Sequence, residues 1–170
     1  MKQLPLVPLV ALATLALDQF TKWLVVTNLE LGESVYPLPA LSRLFSLTYV
    51  TNTGAAFGLL KEAGVVFVFV AILVITIIVL YVRRVPADQQ LVRVALGLQL
   101  GGALGNLIDR LRLGLVVDFI DLQFWPVFNV ADSAIVIGVA LLAIAFWRQE
   151  RAAAGPPEPN PSSSSGQFPG

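Results

Sequence analysis

Aspartate side chains are the groups best suited to chemistry in this chain of 170 residues, because it contains no Cys and no His. Without a thiolate or an imidazole, it cannot build a Cys–His pair, a Ser–His–Asp triad or a zinc site with Cys or His ligands. A hydrolytic reaction would therefore need carboxylates or a lysine. Paired carboxyl groups can share a proton, so that one polarises a carbonyl group while the other accepts a proton from water.

Asn129 and Asp132 allow two interpretations. An Asn followed three residues later by an acid is typical of a capping arrangement, and Pro126 just upstream also favours a helix start there. The neighbours Val130 and Ala131 are apolar, however, so a carboxylate at position 132 would be poorly solvated. A second carboxyl group nearby would then complete a proton-sharing pair. The residues alone leave both interpretations open.

Five further polar residues fall inside apolar stretches. Asp18 and Lys22 are four residues apart with the acid first, which favours an ion pair within one helix over a chemical role. Asn106, Asp109 and Arg110 share a helix face through spacings of three and four residues. We interpret them as a polar clasp whose charges neutralise one another. Both groups are therefore predicted to support a site rather than to react.

Long apolar stretches determine where these residues lie. The composition is 56% apolar and 13% charged, with a mean hydropathy of +0.79, well above ordinary globular usage. About 20 apolar residues suffice to cross a bilayer as a helix. We predict four such spans, near residues 4–26, 64–82, 91–111 and 127–147. The predicted fold class is an all-α membrane protein, a bundle of four transmembrane helices.

Charged residues indicate how the spans are oriented. Lys plus Arg and Asp plus Glu number 11 each, so no overall basic field would attract nucleic acid. Lys and Arg are more frequent on the side of the bundle that holds the N-terminus, which predicts that both termini are cytoplasmic. With a rise of about 1.5 Å per residue, the polar residues of spans one, three and four then reach one layer near the outer surface. Asp118 lies in the short connection above that layer.

The segments outside the spans carry weaker signals. Residues 27–63 alternate in polarity around 44–50 and are predicted to form short strands. An amphipathic helix on the membrane surface is predicted at 55–61. The Pro- and Ser-rich stretch 151–170 is predicted to be a disordered tail that follows a membrane domain at 1–150.

Two short motifs have simple structural interpretations. Gly97, Gly101 and Gly105 repeat at four residues, which predicts close helix packing. A turn signal begins at Asn52, and most such turns have no further role. At a membrane surface, however, an Asn amide could hold an extended peptide.

Five short blocks, taken together, resemble a known family. They are the segments DQFTK at 18–22, NTGAAFG at 52–58, GNLIDR at 105–110, VDFI at 117–120 and FNVAD at 128–132. In this order they are similar to the motifs of bacterial lipoprotein signal peptidase, or signal peptidase II, and the resemblance covers roughly residues 10–147. No motif position departs from the family pattern.

The resemblance implies an aspartic endopeptidase that removes the signal peptide from prolipoproteins, just before the lipid-modified cysteine. It implies that Asp118 and Asp132 are the catalytic pair. Family positions that bind substrate or support the site are matched by Asn52, Asn106, Asp109, Arg110, Asn129, Asp18 and Lys22. The implied fold is a four-helix membrane bundle with a small extracytoplasmic β-cradle and an interfacial helix.

The resemblance also implies the surroundings of the protein. These are the bacterial inner membrane, an active site at its extracytoplasmic face, and lipid-modified prolipoproteins and membrane lipid as partners. Family members are the target of the antibiotic globomycin. We expect a monomer that needs no metal or other cofactor and binds no nucleic acid.

Two other functions remain open from the residues alone. A small transporter or proton-conducting protein would also place Asp, Arg and Lys inside the membrane. A serine–lysine hydrolase could use Ser46 or Ser133 with Lys22 or Lys61, since that chemistry needs no His.

Overall fold

Helices dominate the architecture. The computed structural model describes residues 6–53 and 63–153. The elements follow in the order α1 (Leu6–Asn28), β1 (Ser34–Val35), a 3₁₀ turn (Pro39–Leu41), β2 (Ser46–Asn52), α2 (Ala63–Val82), α3 (Gln90–Leu113), β3 (Val116–Asp121) and α4 (Val130–Ala153). Within this part of the chain, four helices are long and apolar enough to cross a membrane. The predicted class, a four-helix membrane bundle with a small sheet, is confirmed.

The last helix departs most from its predicted bounds. α4 begins at Val130 instead of near residue 127 and continues to Ala153 instead of 147. Its start is delayed because Phe128 forms an antiparallel bridge with Ile120, which keeps the chain extended up to the helix. The backbone of Phe128 exchanges hydrogen bonds of 2.7 and 3.1 Å with that of Ile120.

Two predicted segments fall largely outside the described residues. The surface helix predicted at 55–61 lies between residues 53 and 63. Of the predicted tail, only residues 151–153 are described, and they form the end of α4.

α3 packs closely against α1, and the two helices run parallel. A Cβ atom added to Gly97 would lie 2.7 Å from Cβ of Val10, and one added to Gly101 would lie 2.6 Å from the carbonyl oxygen of Ala11. Both distances are well inside van der Waals contact. Small residues matter here because helices in lipid associate through close packing rather than through the hydrophobic effect. The close packing predicted from the glycine repeat is confirmed.

α4 packs antiparallel on another face of α3. Gly102 approaches the carbonyl group of Ala131 near the start of α4, and Gly138 approaches the carbonyl group of Ala95 further along it. At the far end of α4, a buried apolar cluster joins α2, α3 and α4. Its members include Ile78, Val85, Val92, Leu96 and Ala145. The polar start of α4 therefore lies at the opposite end of the bundle from this cluster.

The three strands form one antiparallel sheet in the order β1, β2, β3. Two strands lie within the range predicted for the β-cradle, 27–63, but β3 lies outside it. Asp118 is therefore on a strand and not in a loop. Gly114 makes the reversal from α3 into β3 possible, because its φ of 74° lets its N–H bond to the carbonyl oxygen of Arg110 and end the helix.

A register shift in β2 decides which side chains share a face with Asp118. Ser46 pairs with Asp121, whereas Val50 pairs with Asp118. The two aspartates are three residues apart on β3 and point to opposite faces. Ser46 and Val50 are four residues apart and would share a face in a regular strand. The register shift between Leu47 and Val50 instead points Val50 to the opposite face of the sheet from Ser46. Asn52 consequently lies on the face of Asp118.

Candidate active site

Asp118 is buried on β3, with 2% of its surface exposed. Its Oδ1 accepts a hydrogen bond of 2.7 Å from Nδ2 of Asn129, and its Oδ2 accepts one of 3.0 Å from Nδ2 of Asn52. Both donors are neutral amides. In the described part of the chain, no salt bridge includes Asp118.

Asp132 lies in the first turn of α4 and caps that helix together with Asn129. Its Oδ2 accepts a hydrogen bond of 3.2 Å from the backbone N–H of Asn129, and Oδ1 of Asn129 accepts one of 2.9 Å from the backbone N–H of Asp132. This reciprocal arrangement is a capping box, so the capping interpretation is confirmed. Oδ1 of Asp132 also accepts a hydrogen bond of 2.8 Å from Nδ2 of Asn106. The cap therefore orients the carboxyl group toward other polar side chains.

Asn129 is fully buried and links the two carboxyl groups. Its Nδ2 lies 2.7 Å from Oδ1 of Asp118, 3.0 Å from Oδ1 of Asn106 and 3.3 Å from the carbonyl oxygen of Val117. An amide has two hydrogens, so these three acceptors share them. The capping residue thus contacts both Asp118 and Asp132, and the interpretation of the two as a proton-sharing pair stays a prediction. We call Asp118 and Asp132 the carboxyl pair.

Burial raises the pKa of Asp118 from its ordinary value of 3.8 to about 6. Loss of hydration around the carboxylate is the largest cause, and the negative charge of Asp132 raises the pKa further. Hydrogen bonds from Asn52 and Asn129 and the charge of Lys22 act in the opposite direction. The Asp118 carboxyl group can therefore both give and take a proton near neutral pH, as general acid–base chemistry requires.

A second group of buried charges lies beside the carboxyl pair. Nζ of Lys22 is 2.9 Å from Oδ2 of Asp18, 2.8 Å from Oδ2 of Asp109 and 2.9 Å from Oδ1 of Asn106. The predicted ion pair between Asp18 and Lys22 is confirmed. An ammonium group has three hydrogens, so these contacts use all of them. We call Asp18, Lys22 and Asp109 the lysine cluster.

Arg110 has a different environment from the one predicted. We expected its charge to be neutralised within a clasp that includes Asp109, but in the described residues the salt bridge of Asp109 is to Lys22. The guanidinium of Arg110 instead lies 5.2 Å from the ring centroid of Phe67, and its Nη1 donates a hydrogen bond of 3.3 Å to the carbonyl oxygen of Asn106. Its buried Nε has no hydrogen-bond partner among the described residues. One donor of Arg110 is thus left for another group.

Two contacts of the lysine cluster had no counterpart in the sequence predictions. Nε2 of Gln19 donates hydrogen bonds of 2.9 Å to Oδ1 of Asp109 and 3.3 Å to the carbonyl oxygen of Gly105. The backbone N–H of Ala131 donates a hydrogen bond of 2.9 Å to Oδ1 of Asp18. Asp18 therefore accepts a hydrogen bond from a backbone N–H in the first turn of α4, which has no acceptor within the helix. The only available signal for Gln19 was its position between Asp18 and the lysine in one motif.

Comparison with known proteins decides the family. The family model described as signal peptidase (SPase) II matches residues 10–148. The chain belongs to the signal peptidase II family. The lipoprotein signal peptidase of Moorella thermoacetica is 56% identical over 134 residues, which cover 79% of this chain and 87% of the relative. That of Geobacter sulfurreducens is 46% identical over 149 residues, which cover 84% and 91%.

The fold also matches solved structures. A bacterial membrane enzyme determined by the in meso method at 2.3 Å resolution is 31% identical and superposes with a TM-score of 0.79. The match covers 93% of this chain and 96% of that enzyme. A signal peptidase II fold therefore accounts for nearly the whole chain. The alternative of a transporter is not favoured.

The contacts of Ser133 and Lys22 also disfavour the serine–lysine mechanism that the residues alone left open. The hydroxyl group of Ser133 donates a hydrogen bond of 3.0 Å to the carbonyl oxygen of Asn129, and Lys22 already contacts three acceptors. Ser46 lies in a separate network, and Lys61 lies outside the described residues. Among residues 6–53 and 63–153, no three acidic side chains are grouped so that they could hold a metal ion.

Asp121, also on β3, forms hydrogen bonds that hold the sheet and the following loop together. Its Oδ2 accepts hydrogen bonds of 2.9 Å from Thr48 and 3.3 Å from Ser46, and its Oδ1 accepts one of 2.8 Å from the backbone N–H of Gln123. Nε2 of Gln123 in turn donates to the hydroxyl group of Ser46 at 2.9 Å. These bonds fasten β2 to the loop that follows β3, on the sheet face opposite Asp118.

Proposed function

We propose that this signal peptidase II is an aspartic endopeptidase in which Asp118 and Asp132 activate a water molecule. One observation carries the proposal: two carboxyl groups contact the same buried residue, Asn129, Asp118 through the side-chain amide and Asp132 through the backbone N–H. Neither carboxyl group forms a salt bridge within the described residues. Two neighbouring carboxyl groups that no cation contacts directly cannot both ionise cheaply, so they share a proton.

The raised pKa of Asp118 supports its role as the partner that holds the shared proton. In the first step the ionised Asp132 takes a proton from water, and the oxygen of that water attacks the carbonyl carbon of the substrate. Asp118 gives its proton to the carbonyl oxygen, which forms a neutral gem-diol. In the second step Asp132 passes its proton to the amide nitrogen, the C–N bond breaks, and Asp118 takes a proton back from the diol.

The substrate in this proposal is a prolipoprotein, cut just before its lipid-modified cysteine. The names of the matching relatives, lipoprotein signal peptidases, support this substrate class. The position of the carboxyl pair supports it as well, because Asp132 lies in the first turn of a membrane-spanning helix. A peptide bond next to a lipid anchor is held at the same shallow depth.

The remaining polar residues divide into two roles in this proposal. Asn52 and Arg110 position the substrate, since Asn52 contacts Asp118 directly and the buried Nε of Arg110 has no hydrogen-bond partner among the described residues. The members of the lysine cluster, with Asn106 and Asn129, hold the carboxyl pair in place.

A cleavage assay with single substitutions tests the proposal. Purified protein is given a peptide that carries a signal sequence and a diacylglyceryl cysteine. We expect Asp118→Asn and Asp132→Asn each to lower kcat by about 10³-fold or more, because an amide cannot exchange the proton. Asp121→Asn is the matched control, since it makes the same chemical change on the opposite face of the sheet. Loss of cleavage in Ser133→Ala together with normal cleavage by Asp118→Asn would overturn the aspartic mechanism.

We further propose that the enzyme lies in the bacterial inner membrane with both termini in the cytoplasm and the carboxyl pair at the extracytoplasmic side. The distribution of Lys and Arg supports this orientation. A reporter fused after Trp147 should be active as a cytoplasmic fusion. If the reporter is instead exposed outside the membrane, the orientation and the placement of the site are both wrong.

A further inference from the structure

A groove of about 360 Å³ opens at Asp132, one member of the carboxyl pair, along the first turns of α4. Its wall is the first two turns of α4, and its roof is the loop between β3 and α4. Its lining includes Phe124, Trp125, Phe128, Asp132, Val136 and Ile137. This volume lies within the range of about 300–1,000 Å³ that is usual for small-molecule sites.

The lining of the groove is apolar apart from Asp132 and Ser133, and Asp132 is the one ionisable side chain among the residues that form it. Four of the others are more than half exposed, namely Phe124 at 75%, Val136 at 67%, Trp125 at 64% and Ile137 at 52%. Val136 and Ile137 lie on a membrane-spanning helix, where exposed apolar side chains face hydrocarbon. An apolar chain can therefore enter the groove from the bilayer without leaving lipid.

The groove runs from the level of the carboxyl pair into the membrane. α4 begins at Val130, so Val136 and Ile137 lie roughly 9–10 Å along the helix from its start. Phe124 and Trp125 lie on the loop at the level of the membrane surface, where aromatic side chains are favoured. The polar end of the groove is thus at Asp132 and its apolar end is deeper.

A second opening reaches the polar residues from another side, and half of the eight residues that line it are charged or polar. It has a volume of about 160 Å³ and is lined by Gln19, Lys22, Asp109 and Arg112 among others. A hydrocarbon chain there would strip water from charged groups at a cost of several kcal/mol. Of these two openings, only the groove along α4 suits a lipid chain.

We propose that the groove along α4 holds one acyl chain of the lipid-modified cysteine while the neighbouring peptide bond is cut. The inference rests on the proposed function. In that function the lipid-modified cysteine directly follows the scissile bond, so its lipid must leave the active site close to Asp132. Transfer of the chain from bilayer to groove brings little hydrophobic gain, since both are apolar. The groove instead orients the acyl chain and the cysteine that carries it, which holds the neighbouring peptide bond against the carboxyl pair.

The test compares two substrates that differ only in acyl length. The full chain is placed in nanodiscs and given the same peptide with a dipalmitoylglyceryl or a dibutyrylglyceryl cysteine. Val136→Trp fills the groove, and Val139→Trp adds the same bulk to a residue that is 55% exposed on the same helix but outside the groove. We expect Val136→Trp to lower the ratio of kcat/KM for the long-chain over the short-chain substrate at least fivefold, and Val139→Trp to leave that ratio unchanged.

Other outcomes each contradict the inference. An unchanged ratio in Val136→Trp would mean that the groove holds only bilayer lipid, and an equal loss for both substrates would mean that it serves the peptide. A photoreactive palmitoyl chain on the substrate, bound to Asp118→Asn, provides a second measurement and should label the α4 peptide that contains Val136. Labelling confined to other helices would overturn the assignment. The proposed function fails separately, if the unmodified protein cuts neither substrate.

Discussion

The lysine cluster and the carboxyl pair lie side by side, and only the first contains a cation. Lys22 neutralises part of the charge of the two carboxylates that it contacts at 2.9 and 2.8 Å. The carboxyl pair instead receives hydrogen bonds from neutral amide groups. Asn106 joins the two groups, because its Oδ1 accepts from Lys22 and its Nδ2 donates to Asp132.

The difference explains why similar side chains have different roles. Around Lys22, ion pairs and full use of the ammonium hydrogens hold both carboxyl groups in place, which suits a scaffold for α1, α3 and the start of α4. Around Asn129, no cation among the described residues forms a salt bridge with either carboxyl group, and the loss of hydration is the largest influence on the pKa of Asp118. Buried carboxyl groups with amide partners are therefore the ones poised to exchange protons.

The comparison is tested most strongly by Lys22→Met, which removes the cation and keeps an unbranched side chain. Two buried carboxylates would lose their common partner. We expect the free energy of unfolding to fall by about 3–5 kcal/mol. The thermal unfolding midpoint in detergent should fall by about 10 °C.

A triple variant separates the loss of pairing from the loss of packing. In Asp18→Asn/Lys22→Met/Asp109→Asn, no charge of the lysine cluster stays buried, and most of the midpoint should return. An equally low midpoint in the triple variant would mean that Lys22 acts through packing alone.

The pH dependence of stability tests the other half of the comparison. Burial raises the pKa of Asp118 to about 6, so between pH 4 and 6 the folded protein binds more protons at this group than the unfolded chain does. The stability contributed by protonated Asp118 is therefore fully present below its ordinary pKa and is lost as the pH rises through 6. We expect a loss of up to about 3 kcal/mol across this window.

The variant Asp118→Asn isolates this effect, because other carboxylates titrate in both proteins. The difference in unfolding midpoint between the two proteins should shift in favour of the variant between pH 4 and 7. A difference that stays constant over this range would show that Asp118 is not a proton-holding group.

Local patterns in the sequence were enough for the helices and their close contacts. The spans follow from runs of apolar residues, and the packing of Gly97 and Gly101 follows from their spacing of four residues. The capping box at Asn129 and Asp132 was also visible, because its two members are three residues apart. Each of these features involves residues that are close together in the chain.

Features that depend on distant pairing were not predictable in the same way. β3 was interpreted as a connection because its partner strand lies more than 60 residues earlier, and the shift that places Asn52 on the face of Asp118 exists only in the paired sheet. Asp109 was assigned to the adjacent Arg110, whereas its observed partner is Lys22 on another helix. The residues alone did not select Asp118 over the other aspartates. That choice depended on the family resemblance.

The smallest expected effect concerns Asp121, which extends the comparison to a carboxylate whose donors tie strands together. The side chain of Asp121→Asn keeps one acceptor oxygen, which can accept either from the hydroxyl groups of Thr48 and Ser46 or from the backbone N–H of Gln123. Its new NH₂ group then faces the remaining donor or donors, and at least one hydrogen bond is lost. We expect a loss of about 1 kcal/mol in stability, as for one hydrogen bond, with kcat within about twofold of the parent. A strong fall in kcat without a change in unfolding midpoint would place Asp121 in the chemistry. Proton exchange would then not be confined to the sheet face that carries Asp118.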